Sequence, residues 1–159
     1  MLSLRRLGGP AAIAVSVLAA MTVSAVAQDK AAVVKDRQAT MKEQGKDLQN
    51  IKAYLEGKGE IAQAKQSAAN LTQTTKKIPE LFPPGTGGPN PTGDYVAKPV
   101  IWTDWNKFLD AQKTAADKAQ TLLVAVNSGD KAGIETAFND LGKNGCSGCH
   151  TTFREKIEK

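Results

Sequence analysis

The sequence Cys146-Ser147-Gly148-Cys149-His150 lies nine residues before the end of the chain. On a helix, two cysteines three positions apart share nearly the same face, so both thiols can reach the two vinyl groups along one edge of a haem. The next residue, His150, can then place its imidazole beneath the porphyrin plane as a ligand of the iron. This spacing is the attachment motif of c-type haem, and it predicts one covalently bound haem c.

Other uses of the two cysteines need partners elsewhere in the chain. A structural zinc site takes four Cys or His ligands, and the whole sequence has two Cys and one His. A thioredoxin-like redox pair is expected near a βαβ unit, whereas the surroundings of Cys146 have a helical pattern. A disulfide between Cys146 and Cys149 would close a strained short loop. Zinc binding and simple redox chemistry remain the alternatives to haem attachment.

The first 27 residues have the pattern of a secretory signal peptide. Arg5 and Arg6 form a charged start, residues 11–23 form an apolar run, and residues 25–27 have the small side chains of a cleavage site. A membrane anchor is the alternative, but the apolar run is short for a helix that spans a bilayer. We therefore predict export to the periplasm, cleavage near Ala27 and no stable membrane insertion afterwards.

Cleavage at that position leaves residues 28–159, a length that suits one domain. The whole chain has 21 Lys and Arg against 16 Asp and Glu, a formal net charge of +5. Its lysines are scattered among acidic residues and alanines, so the sequence predicts no nucleic-acid binding. Without Arg5 and Arg6 the formal net charge is +3, and such a weakly charged surface favours transient contacts with a soluble protein partner.

Four stretches with helical periodicity follow the signal peptide. They cover residues 29–56, 60–78 and 99–129, and a last stretch from Asp130 through the Cys-x-x-Cys-His motif to Ile157. The Pro- and Gly-rich residues 81–100 suit neither a regular helix nor a central strand, so they form a long crossover. Short turns elsewhere predict an all-α, antiparallel four-helix bundle around the haem, stabilised by a shared apolar seam.

Two further groups of residues have predicted packing roles. Trp102 and Trp105 have the spacing of core residues on the third helix. Gly142, Gly145 and Gly148 weaken a free helix, and we expect them to let the porphyrin lie close to the backbone.

The candidates for the second axial ligand of the iron can be reduced by counting the donor side chains. His150 is the only histidine, and Met1 and Met21 belong to the predicted signal peptide, which leaves Met41 as the remaining thioether. Met41 lies on the apolar stripe of the first helix, so it can face the haem, although methionine also serves as flexible core filler. Lysine coordination would need an inward-facing, deprotonated side chain. A Met/His pair suits electron transfer, whereas an open position would bind a small gas.

Several motifs beyond the haem attachment site carry a family resemblance. They are Phe153-Arg154, Arg37-Gln38 one turn before Met41, Leu81-Phe82-Pro83-Pro84-Gly85 and Ile101-Trp102. With Cys-x-x-Cys-His at the far C-terminus, they resemble the cytochrome c′ family of class II c-type cytochromes. The resemblance covers nearly all of residues 28–159, and it implies the up-and-down bundle fold of that family.

The resemblance also implies roles for individual positions. Cys146 and Cys149 would hold the haem through thioethers, and His150 would be the proximal ligand of its iron. Arg37 and Gln38 match a pair that contacts the haem edge and propionates; from the sequence alone they are surface residues on a polar face. Arg154 matches the proximal-pocket arginine, one turn beyond His150 on the same helix face, with a partner of the helix dipole as the alternative.

The position of Met41 separates two branches of the family. Low-spin members have the ligating methionine there, whereas five-coordinate members generally have a bulky apolar residue, and some members have an unbound methionine. Residues 41–46 resemble the low-spin branch more closely.

The leading hypothesis is therefore a periplasmic electron carrier that transfers one electron at a time through a haem bound by His150 and Met41. The alternative is a protein that binds nitric oxide or carbon monoxide, with Met41 as a steric gate. We expect no enzyme, since the chain has no second histidine as distal acid or base. The expected partners are redox proteins, with a homodimer through the outer faces of the first two helices as a further possibility.

Overall fold

The computed structural model describes residues 29–88 and 93–157 of the chain. The predicted signal peptide, residues 1–27, lies outside the described residues. In the described part, no helix is long and apolar enough to cross a membrane.

The long helices of the structure occur where the sequence predicts them. They are α1 (Lys30–Leu55), α2 (Ile61–Lys76), a short α3 (Val100–Thr103), α4 (Trp105–Ser128), α5 (Lys131–Asp140) and α6 (Gly148–Phe153). A 3₁₀ turn, Ile78–Leu81, follows α2, and a π-helical segment, Leu141–Ser147, joins α5 to α6. The last three helical segments together form the fourth helix of the bundle.

The predicted four-helix bundle is confirmed. Helix α2 packs between α1 and α4, and α4 packs against α5 and the π-helical segment. The main core lies between these helices and is made of small and branched apolar side chains. Its fully buried members include Ile51, Ala64, Ala68, Leu71, Ala119, Leu122, Val126, Ile134 and Leu141.

Two aspartates begin helices as the sequence predicts. The Asp29 carboxylate accepts a hydrogen bond from Ala31 N, and the Asp130 carboxylate accepts from Ala132 N and Gly133 N. Such bonds satisfy backbone donors that the first turn of a helix leaves without a partner. Helix α4 ends at Gly129, whose φ of 77° is in the left-handed region that favours glycine.

The prediction that the third helix is continuous is wrong. The helix is interrupted after α3 at Asp104, whose backbone leaves the helical region with φ −134° and ψ 65°. The Asp104 carboxylate accepts a hydrogen bond from Lys107 N and so begins α4. Aspartate favours caps over helix interiors because its short side chain accepts hydrogen bonds from nearby backbone donors in this way.

The predicted end of the fourth helix at Ile157 is also wrong. The helix ends at Phe153, and the next residues form strand β2 (Arg154–Lys156). This strand pairs antiparallel with β1 (Tyr95–Ala97) of the crossover, with Ala97 opposite Arg154. The end of the chain is therefore tied to the crossover, and both border the cavity described next.

Candidate haem-binding site

A cavity of about 420 Å³ lies between α1, α4, the crossover and the last helix. Its lining includes every residue that the sequence predicts for the site. They are Arg37, Gln38, Met41, Cys146, Cys149, His150 and Arg154. The first helix and the C-terminal part of the chain, which are distant in sequence, thus contribute to one cavity.

The cavity has an apolar aromatic wall. Ile78, Phe82, Ile101, Phe108 and Phe153 form a second buried cluster, separate from the main core, and all of them line the cavity. The ring centroids of Phe82 and Phe108 are 4.9 Å apart, and those of Phe108 and Phe153 are 5.3 Å apart. Met41 and Cys149 are partly buried and pack against this cluster. Such a wall offers a large apolar contact area to a flat hydrophobic ligand.

Both cysteines of the motif are free thiols on the cavity lining. Cys146 belongs to the π-helical segment, whereas Cys149 belongs to α6. Burial raises the pKa of Cys146, and burial together with the neighbouring Cys146 raises the pKa of Cys149 to about 11. Both thiols are therefore protonated at neutral pH. The π-helical segment that contains Cys146 is a feature often found at functional sites.

The imidazole of His150 is neutral in this environment. Burial, with a smaller contribution from the charge of Arg154, lowers the pKa of His150 to about 4. A neutral imidazole keeps a lone pair on one ring nitrogen, which is the form that ligates a metal. The chemistry of these donors, two thiols and one neutral imidazole beside an apolar wall, fits a covalently attached haem.

Arg37 is buried, with a side chain only 8% exposed, so its interpretation as a surface residue is wrong. Its Nε donates to Leu81 O at 2.9 Å, and its Nη1 and Nη2 donate to the backbone oxygen and the hydroxyl of Thr86 at 3.1 and 2.6 Å. The guanidinium carbon lies 4.0 Å from the ring centroid of Phe82. Burial lowers the pKa of Arg37 to about 10, so the group stays charged at neutral pH.

Arg154 lines the cavity, but the predicted position on the last helix is wrong. It follows the final helical residue, has the extended angles φ −121° and ψ 144°, and begins β2. Its guanidinium carbon lies 4.1 Å from the ring centroid of Tyr95, on the strand opposite. Pairing with β1 favours the extended backbone over another helical turn. Gln38 is half-buried and lines the cavity beside Arg37.

Phe82, Phe108 and Tyr95 are three of the lining residues that were not predicted as site residues. Phe82 has a local signal, because it lies in the Leu81-Phe82-Pro83-Pro84-Gly85 motif. Phe108 is an apolar residue at a core spacing on α4. This spacing does not distinguish a residue of the main core from a residue of the cavity wall. Tyr95 has no local signal, since its place depends on the pairing of β1 with β2.

The chain is similar to known proteins of one family. The family model described as Cytochrome C' matches residues 32–154. The chain is 34% identical over 145 residues to the cytochrome c' of Rhodospirillum rubrum, which covers 88% of this chain and 95% of that protein.

Two solved structures also match nearly their full length. One is a nitric oxide complex of a leucine variant of cytochrome c prime from Alcaligenes xylosoxidans, with a TM-score of 0.69, 29% identity and coverage of 80% of this chain and 97% of that chain. The other is a cytochrome c' with ligand-controlled dimer dissociation, with a TM-score of 0.72, 25% identity and coverage of 80% and 97%. The chain therefore belongs to the cytochrome c′ family of c-type haem electron-transfer proteins, which bind one covalent haem c.

Proposed function

We propose that this protein carries single electrons through a haem c attached to Cys146 and Cys149, with His150 and Met41 as the axial ligands of the iron. The observation that supports the proposal most directly is that Met41 on α1 and His150 on α6 line the same cavity. When bound, the haem supplies an iron that changes reversibly between the ferric and ferrous states. A methionine and a neutral histidine are the axial pair that favours the ferrous form and electron transfer.

The residues around the cavity have roles that suit this function. The aromatic cluster of Phe82, Phe108 and Phe153 excludes water from one wall, so the environment of the ligands has a low polarity. Two N–H groups of the Arg37 guanidinium are not used by its three hydrogen bonds to Leu81 and Thr86. Because Arg37 also lines the cavity, these donors can bind the carboxylates of the haem, with Gln38 beside them.

A second candidate function is the binding of a diatomic gas at the distal side of the haem. The similarity to a nitric oxide complex of cytochrome c prime favours this candidate over the methionine-ligated one. The position of Met41 on the cavity lining favours the first. In the second case Met41 acts as a steric gate and leaves the iron five-coordinate.

The absorption spectrum of the reduced protein separates the two functions. Sharp low-spin bands that carbon monoxide leaves unchanged support the methionine-ligated carrier. Met41→Leu keeps a similar apolar volume but removes the sulfur, so it should give a high-spin spectrum that responds to carbon monoxide. A wild-type spectrum that is already high-spin and shifts on addition of the gas would overturn the first candidate in favour of the second.

We also propose that the protein acts in the periplasm after removal of residues 1–27, and that it is not an enzyme. Its partners would be redox proteins that dock transiently. The similarity to a cytochrome c' whose dimer dissociates under ligand control supports a homodimer of this chain. The mass of the exported protein tests whether residues 1–27 are removed. We expect the mass of a chain that begins at Gln28 and carries one haem, and the mass of a chain with an intact N-terminus would contradict the cleavage.

A further inference from the structure

Phe82 contributes to the cavity wall on the side of α1. Its ring is buried, lines the cavity and lies under the guanidinium of Arg37. Arg37 and Met41 are four residues apart on α1, so they lie on the same face of that helix. The Phe82 ring is thus on the side of the cavity from which Met41 approaches.

The backbone on the other side of Phe82 is held by Trp102 of α3. The indole Nε1 of Trp102 donates to Phe82 O at 3.0 Å and to Pro83 O at 3.2 Å. The indole ring itself lies directly against the crossover, since a Cβ at Gly87 would be only 2.6 Å from Trp102 Cζ3. Trp102 therefore has a more specific role than the general core position that its spacing predicts.

The segment between these two anchors has few internal bonds. Residues 81–86, which we call the Phe82 loop, turn at Pro84 and Gly85, where Gly85 has a φ of 79°. The turn is closed by hydrogen bonds from the backbone N and the hydroxyl of Thr86 to Pro83 O, at 3.3 and 2.8 Å. Arg37 and Trp102 supply five further hydrogen bonds from opposite sides. The side chains of these two residues therefore determine where the loop lies.

We propose that Trp102 and Arg37 are positioning residues that hold Phe82 against the cavity and so limit the access of small molecules to the distal side of the haem. The inference rests on the proposed function only in that a haem with His150 as its proximal ligand fills the cavity. It applies whether or not Met41 is bound, because the Phe82 ring borders the same space in either case.

Trp102→Phe tests the proposal, since it keeps an aromatic side chain at this position and removes the N–H donor together with the outer indole atoms that lie against Gly87. All affinities for carbon monoxide are measured on reduced holoprotein that also has Met41→Leu, so that the gas can bind in every variant. Loss of a hydrogen bond of ordinary strength should raise this affinity about fivefold. It should also speed the hydrogen exchange of backbone amides in the Phe82 loop. The matched control is Trp105→Phe, because Trp105 packs on Phe108 and its indole makes no hydrogen bond to a described residue. The control should change neither quantity by more than about twofold.

Two further variants test whether the effect passes through Phe82. In a Phe82→Leu background, Trp102→Phe should add little to the affinity for carbon monoxide, since the group that it positions is gone. Thr86→Val removes the hydroxyl that accepts from Arg37 Nη2, so it weakens the attachment of the Phe82 loop to α1. This variant should therefore also raise the affinity for carbon monoxide. This variant also provides the test if Trp102→Phe does not fold.

The outcomes of this test and of the test of Met41 are separate. Equal effects of Trp102→Phe and Trp105→Phe, or full additivity with Phe82→Leu, would overturn the positioning role whatever the spectrum of the wild type. A high-spin wild-type spectrum would overturn the Met41 ligand and leave the comparison of the two tryptophan variants valid.

Discussion

Gly145 of the π-helical segment lies directly against Ala115 of α4. A Cβ at position 145 would be 3.4 Å from the Cα of Ala115 and 2.9 Å from Cδ1 of the buried Leu141. The absence of a side chain therefore lets the segment that carries Cys146 approach α4. Gly145 also lines the cavity, as expected of a glycine that lets the porphyrin lie close to the backbone. The close contact with α4 is a second reason that a glycine occupies this position.

Gly145→Ala should lower the free energy of unfolding by about 1 kcal/mol, since the clash with Leu141 and Ala115 outweighs the better helix propensity of alanine. Gly142→Ala is the matched control, because a Cβ there would have no atom within 4 Å. It should raise the free energy of unfolding by up to about 1 kcal/mol. Denaturant unfolding of the holoprotein measures both, and equal effects of the two variants would contradict the packing role of Gly145.

Arg37→Lys should destabilise the protein although the charge is kept. A lysine ammonium cannot donate to Leu81 O and both Thr86 oxygens in the planar arrangement of the guanidinium, nor stack on Phe82 in the same way. We expect the free energy of unfolding to fall by about 2 kcal/mol.

Arg154→Lys makes the same chemical change at an exposed position, where the guanidinium lies over the ring of Tyr95. Its cost should stay below about 1 kcal/mol. If thermal or denaturant unfolding gave the two arginine variants the same stability, the hydrogen bonds of Arg37 would not fix the Phe82 loop.

The sequence predicts those parts of the fold that have local causes. The caps at Asp29 and Asp130, the long helices and the haem attachment motif all follow from neighbouring residues, and the structure has each of them. The interruption at Asp104 also has a local cause, because the carboxylate can accept from Lys107 N. The long apolar pattern across that position favours one continuous helix and conceals the interruption.

Other features depend on contacts between residues that are distant in sequence. Helix α6 ends at Phe153 because Arg154 pairs with Ala97 of the crossover, and no local signal reports that pairing. Arg37 has polar neighbours in the sequence, and only the folded chain supplies the carbonyl of Leu81 and the oxygens of Thr86 that bury it. The family resemblance placed Arg37 at the site where helical periodicity alone indicated a surface.

Replacement of both Cys146 and Cys149 by serine should leave any bound haem without a covalent bond. We expect acidified organic solvent to extract the haem from the double variant and not from the wild type, with mass spectrometry of the polypeptide as the second readout. Each single variant should keep the haem through one thioether. Ser147→Ala, between the two cysteines, is the control and should behave as the wild type. Haem that stays attached to the double variant would exclude these two thiols as the attachment points.

Lys118 of α4 and Asp140 at the end of α5 form an ion pair between the two helices. Lys118 Nζ lies 2.6 Å from an Asp140 carboxylate oxygen, and the other oxygen accepts from Asn144 Nδ2 at 2.6 Å. The hydrogen bonds from Lys118 and Asn144 lower the pKa of Asp140. The contact thus joins α4, α5 and the beginning of the π-helical segment at an exposed position.

Because the pKa of Asp140 is lower in the folded protein than its ordinary value of 3.8, the contact stabilises the fold above that pH. The stabilisation is lost as the pH falls through the lowered pKa. Asp140→Asn should therefore reduce the Tm by about 2 °C at pH 7, and this reduction should shrink as the pH falls through the lowered pKa of Asp140. The control is Asp117→Asn, whose partner Lys113 lies on the same helix and is 73% exposed, so it should change the Tm less at pH 7. A reduction in Tm that stays the same over the whole acid range would mean that the variant acts through packing and not through the charge of Asp140.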